Sequence, residues 1–93
     1  MNLGLFKFKH GEEMICEYLD KGTHYYVQNT AGMIPNEDFS WNLVTWMPYT
    51  NATHGLDLPK ENIWFVVNLS KDMAEYYVNW KETLHKLRQE KEQ

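Results

Sequence analysis

The only cysteine of the chain, Cys16, is the residue whose type most readily suggests catalysis. A nucleophilic thiolate needs a nearby cation, such as a histidine or a lysine, to lower its pKa. The next residue is instead Glu17, whose carboxylate would raise the pKa of the thiol. The two residues lie in a predicted strand, where neighbours point to opposite faces. We therefore expect Cys16 to be a small buried hydrophobic residue rather than a nucleophile.

The other titratable residues form no motif for catalysis or metal binding. The four histidines are scattered, at His10, His24, His54 and His85. The pair His54 and Asp57 is the least weak candidate for a metal site. Glu12 and Glu13 are adjacent, so on a strand they would point in opposite directions and could not act as an acid/base pair. Neither a glycine-rich phosphate loop nor a serine elbow is present. We expect no enzyme activity, no metal and no cofactor.

Composition favours a small protein that associates with itself. The 93 residues fit a single domain, 1–93, and a chain this short is only marginally stable alone. It contains 4 Trp, 6 Tyr and 4 Phe, more aromatic bulk than a small core readily hides, and Trp and Tyr favour interfaces. The net charge of −4 disfavours non-specific binding to nucleic acid.

Cysteine usage and hydropathy point to a cytoplasmic protein. One cysteine cannot form an intramolecular disulfide, which indicates a reducing compartment. The first ten residues are not typical of a signal peptide, and no apolar run is long enough to predict a membrane span.

Alternating hydrophobicity predicts five strands. They are expected at residues 5–9, 13–19, 24–29, 41–49 and 63–69. In the second strand, Met14, Cys16 and Tyr18 share one face. Residues 31–40 read as a loop or a broken strand, and residues 50–61 as a polar, mobile loop.

A C-terminal helix is predicted over about residues 71–90. Ser70 has the type and position of an N-cap, and Asp72 suits the first turn. One stripe follows a helical spacing: Met73, Tyr77, Trp80, Leu84 and Leu87. This stripe is expected to pack on the protein's own sheet or on the helix of a neighbouring copy. The alternative is a helix that binds the groove of a foreign partner.

The last two predicted strands are apolar on both faces, so both of their faces need cover. One cover can be the core, and the other a neighbouring subunit. The candidate interface residues are Trp41, Val44, Trp46, Ile63, Trp64, Phe65, Val66 and Val67.

The segment FKFKHGEEMICEYLDKGTHYYVQN, residues 6–29, resembles the first conserved segment of Sm and Sm-like (LSm) proteins. In that segment a strand ends at a glycine turn, a bent strand follows, and a loop leads into the third strand. The stretches GEEMICEY, LVTWMPYT and VVNLSKDMAEYYVNW are similar to Sm-like proteins encoded by phages of marine cyanobacteria. The resemblance implies a mainly β protein: a small, five-stranded, strongly bent Sm-like (SH3-type) barrel with a C-terminal α-helix. It also implies a homo-oligomeric ring of five to seven subunits, in the host cytoplasm if the protein is viral.

The resemblance further implies that the ring binds single-stranded RNA and acts on host or phage transcripts. Its residues would come from two loops, at 21–26 and 59–62. They are Lys21, His24, Tyr25, Tyr26, Lys60 and Asn62, with a tyrosine stacking on a base and the cations contacting phosphates. The alternative is that these are ordinary strand and surface residues. KENI at 60–63 replaces the Arg-Gly signature of the second Sm segment, which favours a structural or adaptor ring that has lost RNA binding.

Overall fold

The structure, a computed structural model, describes residues 1–38, 40–46 and 55–92. Within these residues the chain forms a mainly β protein with one C-terminal α-helix, which confirms the predicted class. The elements are β1 (Asn2–Phe8), β2 (Glu13–Asp20), β3 (His24–Pro35), β4 (Trp41–Thr45), β5 (Leu56–Pro59), β6 (Ile63–Asn68) and α1 (Lys71–Glu92). A 3₁₀ turn, Lys60–Asn62, joins β5 to β6.

The strands pair antiparallel in the order β4-β3-β2-β1-β6, and β5 also pairs with β3. On the edge of β3 away from β2, the first half of β3 pairs with β5 and the second half pairs with β4. Among the described residues the sheet does not close into a barrel by hydrogen bonds, so the closed form of the prediction is corrected. The 3₁₀ turn carries the chain from β5 to β6, and its Asn62 carbonyl accepts from the Lys9 N–H at 3.1 Å.

The third strand is longer than predicted. It has 12 residues, so the loop interpretation of residues 31–40 is wrong for Ala31 to Pro35. Within this strand Asn29 takes a φ of 52°, a conformation that asparagine tolerates better than most residues. The strand bends there and continues to Pro35. The pairing of β2 with β3 also shifts register between Ile15 and Glu17. Both features bend the strands without ending them.

The segment after β4 also differs from the prediction. Leu56–Pro59 forms a strand, and Lys60–Asn62 a 3₁₀ turn, so the mobile-loop interpretation of residues 50–61 is wrong at its C-terminal end. Leu56 and Leu58 alternate with exposed residues and pack against the core. The fourth strand ends at Thr45, and residues 47–54 lie outside the described part of the chain.

Two apolar clusters lie on opposite faces of the sheet. The inner cluster consists of the buried residues Phe6, Phe8, Met14, Cys16, Val27 and Ile63. The helix-side cluster consists of Ile15, Ala31, Leu43 and Tyr77. The predicted alternation of β2 is thereby confirmed, since Met14 and Cys16 lie in one cluster and Ile15 in the other.

Helix α1 packs on the protein's own sheet. Tyr77 is fully buried, and Met73 and Trp80 pack beside it. The Ser70 hydroxyl accepts from the Met73 N–H at 3.2 Å, which confirms the predicted N-cap. Leu87, at the far end of the predicted stripe, is exposed.

Candidate functional site

Cys16 has the environment of a structural residue. Its side chain is completely buried in the inner cluster. Burial, and to a lesser degree the charge of Glu17, raises the pKa of the thiol far above its usual range. The thiol therefore stays protonated at neutral pH, which is the opposite of what a nucleophile requires.

Metal-binding side chains are not gathered at any point in the described part of the chain. No group of three histidine, cysteine, aspartate or glutamate side chains lies close enough to hold an ion there. His54 of the predicted pair lies outside the described residues. Its predicted partner Asp57 instead contacts His24, at 3.6 Å between Oδ1 and Nε2.

Three residues of the predicted RNA site, His24, Tyr25 and Lys60, lie at one end of the sheet. Pairing of β3 with β5 sets His24 opposite Pro59 and Tyr25 opposite Leu58. Because the 3₁₀ turn follows directly, its Lys60 ammonium lies 4.9 Å from the centre of the Tyr25 ring.

Two basic residues at this end, Lys60 and His24, have acidic neighbours. Lys60 Nζ lies 2.7 Å from Asp20 Oδ1. This contact with Lys60, together with the Gly22 N–H, holds the pKa of Asp20 below its usual range, and the same contact raises the pKa of Lys60. His24 faces Asp57, as described above, while Lys21 is exposed. Little net positive charge remains for phosphate groups.

The two tyrosines of the site are also engaged. Tyr25 packs edge-on against Phe6, with ring centres 5.0 Å apart, and is a partly buried residue at the border of the inner cluster. The Tyr26 hydroxyl accepts from the Gln28 amide at 2.9 Å. Gly55, at a φ of 148°, lies so close that a Cβ there would clash with this hydroxyl. Stacking of a base on either ring would therefore displace existing contacts.

The candidate interface residues divide into buried and exposed groups. Ile63 is buried, Val66 packs against the inner cluster, and Trp46 stacks on Phe8 with ring centres 5.9 Å apart. The side chain of Trp41 lies outside the described residues. The exposed group consists of Val44 (38% exposed), Trp64 (67%), Phe65 (41%) and Val67 (45%).

The exposed group lies on the two end strands of the sheet. Val44 is in β4, and the other three residues are in β6. Neither strand has a second partner among the described residues. In the described part of the chain, each therefore presents a free row of backbone N–H and C=O groups beside its apolar side chains.

Sequence reasoning missed a cavity beside the end of β4. It has a volume of about 370 Å³ and is lined by Gly11, Glu12, Glu13, Gly32, Met33 and Trp46. We call it the Trp46 cavity. The Trp46 indole N–H donates to the Glu12 carboxylate at 3.1 Å. No local signal predicts it, since these two residues are 34 positions apart.

Glu12 is held in its charged form at this cavity. The hydrogen bonds from His10 and then from Trp46 hold the pKa of the Glu12 carboxyl below its usual value. Glu13 is paired with Lys7, at 3.2 Å. The cavity therefore has on its wall one carboxylate paired with a lysine and one that accepts hydrogen bonds from His10 and Trp46.

Comparison with known proteins adds no identification. No protein-family model matches the sequence, and no curated protein is significantly similar to it. Within the described residues no helix is both long and apolar enough to cross a membrane. Function must therefore be inferred from the two end strands and from the β3–β5 end of the sheet.

Proposed function

We propose that this protein is a self-associating structural or adaptor protein of the Sm-like type. Copies would join head to tail, with β6 of one copy pairing with β4 of the next, until a ring closes. The Sm-like assignment rests on the sequence resemblance, and the antiparallel strand order with a bent β3 is compatible with it.

The observation that carries this proposal is the exposure of β6. Trp64, Phe65 and Val67 are each between 41% and 67% exposed on a strand with a free edge. An apolar, unpaired edge strand is an aggregation hazard that proteins normally cover or avoid. Pairing with another copy removes water from both the backbone groups and the side chains.

A ring follows from the way in which the two edges differ. A contact between β6 and β4 joins two different surfaces, so each copy keeps one free edge of each kind. Where the rotation between successive copies closes, the product is a ring in which no β4 or β6 edge is left free. The net charge of −4 does not oppose such a contact, because the exposed side chains of β6 are mostly uncharged.

Lysine substitutions on the two edges test the proposal. Val67→Lys should block β6 and Val44→Lys should block β4, because each places a charge in the contact. Each variant alone should be monomeric, with the 11.2 kDa mass of one chain. Mixed one to one, they should form a heterodimer, because the Val44→Lys copy keeps an unmodified β6 edge and the Val67→Lys copy keeps an unmodified β4 edge. Light scattering coupled to size-exclusion chromatography measures the masses.

The control is Val78→Lys, at a valine on α1 that is as exposed as Val44 but lies off both edges. It should assemble like the unmodified protein. Full assembly of either edge variant alone, or a mixture that stays monomeric, would contradict the proposal.

Binding of single-stranded RNA is the second candidate, and the contact of Lys60 with Tyr25 favours it. Lys60 and Tyr25 bring together a cation and an aromatic ring, the two kinds of group that contact phosphates and bases. It ranks below self-association because Asp20 offsets the charge of Lys60, and because Asp57 adds a negative charge beside His24.

Fluorescence polarisation with labelled uridine-rich and adenine-rich oligonucleotides at moderate salt tests the RNA site. If it binds, Lys21→Ala should weaken binding and reduce its salt dependence. Lys86→Ala, at an exposed lysine of α1, is the control and should bind normally. No binding of either oligonucleotide would overturn this second candidate.

A further inference from the structure

We propose that Trp64 is the anchor of the contact between copies and that it inserts into the Trp46 cavity of the next copy. This inference rests on the proposed head-to-tail association. It names the residues that determine the affinity between copies and the register of the β6–β4 pairing. The occupant of the cavity is thus a second copy of this chain.

Trp64 has the position of an anchor residue. The pairing of β6 with β1 shifts register there, since Lys7 pairs with Phe65 and Phe8 with Ile63. Trp64 is left opposite no residue of β1, as in a β-bulge, which turns a side chain out of the regular alternation. Its ring contacts Phe65, with centres 5.1 Å apart, and 67% of the residue is exposed. Exposed tryptophans that become buried on binding are frequent hot spots.

The Trp46 cavity lies beside the C-terminal end of β4, the strand to which β6 of the next copy would add. Trp46 directly follows β4, and Gly32 pairs with Val44 within the β3–β4 ladder. Gly32 has no side chain, so space remains above the sheet for a flat ring. At about 370 Å³ the cavity falls in the size range of small-ligand sites, roughly 300–1,000 Å³.

The chemistry of the cavity suits an indole better than a cation. A buried tryptophan N–H needs an acceptor, and the carboxylates of Glu12 and Glu13 line the cavity. Glu13 is paired with Lys7 at 3.2 Å, and Glu12 already accepts hydrogen bonds from His10 and Trp46, each at 3.1 Å. Both glutamates are exposed, and a further ion pair between such a carboxylate and a lysine or arginine of a foreign partner contributes little. A neutral donor beside apolar Met33 and Trp46 is the better match.

The heterodimer of the two edge variants gives a direct test, because each copy in it uses only one surface. The Val44→Lys copy supplies β6 and Trp64, and the Val67→Lys copy supplies β4 and the cavity. Trp64→Ala placed in the first copy should raise the dissociation constant about 30-fold, the effect of a hot spot. Gly32→Leu placed in the second copy should fill the cavity and weaken binding similarly. Isothermal titration calorimetry measures both constants.

The same two substitutions, exchanged between the copies, are the matched controls. Trp64→Ala in the Val67→Lys copy and Gly32→Leu in the Val44→Lys copy should leave the dissociation constant unchanged. A Gly32→Leu copy that misfolds would lose binding in both placements, and the Trp64→Ala arm then decides alone. An unchanged constant for Trp64→Ala in the first copy overturns the anchor while self-association stands. If no heterodimer forms, the anchor and the proposed function both fail.

Discussion

At the scale of single residues, Asn29 connects the sheet to the helix. Its φ of 52° bends β3, its carbonyl accepts from the Tyr77 hydroxyl at 2.6 Å, and its amide donates to Glu17 at 3.2 Å. Glu17 in turn accepts from Lys81 of α1 at 2.5 Å. The bend and the docking of the helix therefore depend on one another.

Removing the Tyr77 hydroxyl should measure this connection. Tyr77→Phe leaves the ring in the helix-side cluster but removes the only hydroxyl that reaches the Asn29 carbonyl in the described residues. We expect the free energy of unfolding to fall by about 1–2 kcal/mol, the usual cost of losing a buried hydrogen bond. Urea denaturation followed by circular dichroism measures it. Tyr76→Phe, at an exposed tyrosine, should change little, and equal stability of the two variants would contradict the role of Asn29.

The carboxyl of Glu12 should make stability depend on pH. Its pKa in the folded protein lies below the ordinary 4.5, because His10 and Trp46 hydrogen-bond to the charged form. Such a group stabilises the fold above its unfolded pKa, and this contribution is lost as the pH falls through the lower, folded value. Glu12→Gln should lower the free energy of unfolding at pH 7 by less than about 1 kcal/mol, because the group is half exposed.

At low pH the two proteins should converge in stability. Urea denaturation at neutral pH and at a pH below the folded pKa of Glu12 gives the comparison. Glu37→Gln, at an exposed glutamate, serves as the control. A difference between the Glu12→Gln variant and the unmodified protein that is the same at both pH values would contradict this assignment.

At the scale of elements, α1 begins at a cap that the sequence already indicates. Ser70→Ala removes the acceptor of the Met73 N–H and should destabilise the protein by about 1 kcal/mol. Ser70→Asp keeps an acceptor and adds a charge that favours a helix N-terminus, so it should restore stability. Thermal unfolding measures both, and a Ser70→Ala variant as stable as the unmodified protein would contradict the cap.

The elements with a strong local pattern are the ones that sequence alone could predict. The alternation around Cys16 and the cap at Ser70 each depend on neighbours in the chain. The length of β3 was missed because Gly32 and Pro35 normally interrupt strands, whereas here the bend lies at Asn29. β5 was missed because only Leu56 and Leu58 carry its pattern.

The candidate sites were predicted unevenly for the same reason. The β3–β5 end could be predicted because its two loops are short and adjoin strands. The pairing of Lys60 with Asp20, which offsets its charge, depends on the orientation of side chains and has no sequence signal. The Trp46 cavity joins Glu12 to a residue 34 positions away, which only the folded chain reveals.

At the scale of the whole molecule, the aromatic residues explain the need for partners. The inner cluster contains Phe6 and Phe8, and Trp46 packs against it. The helix-side cluster contains Tyr77, and Trp80 packs against it. Trp64 and Phe65 remain outside both, on an end strand. A small domain with this much exposed apolar surface is marginally stable alone, and association should raise its stability as the protein concentration rises.

Sedimentation equilibrium of the unmodified protein over a range of micromolar concentrations tests the central claim most directly. We expect a single closed species whose mass is an integral multiple of the 11.2 kDa chain, because a ring leaves no free β4 or β6 edge. A mass of 11.2 kDa at every concentration would contradict association through these edges.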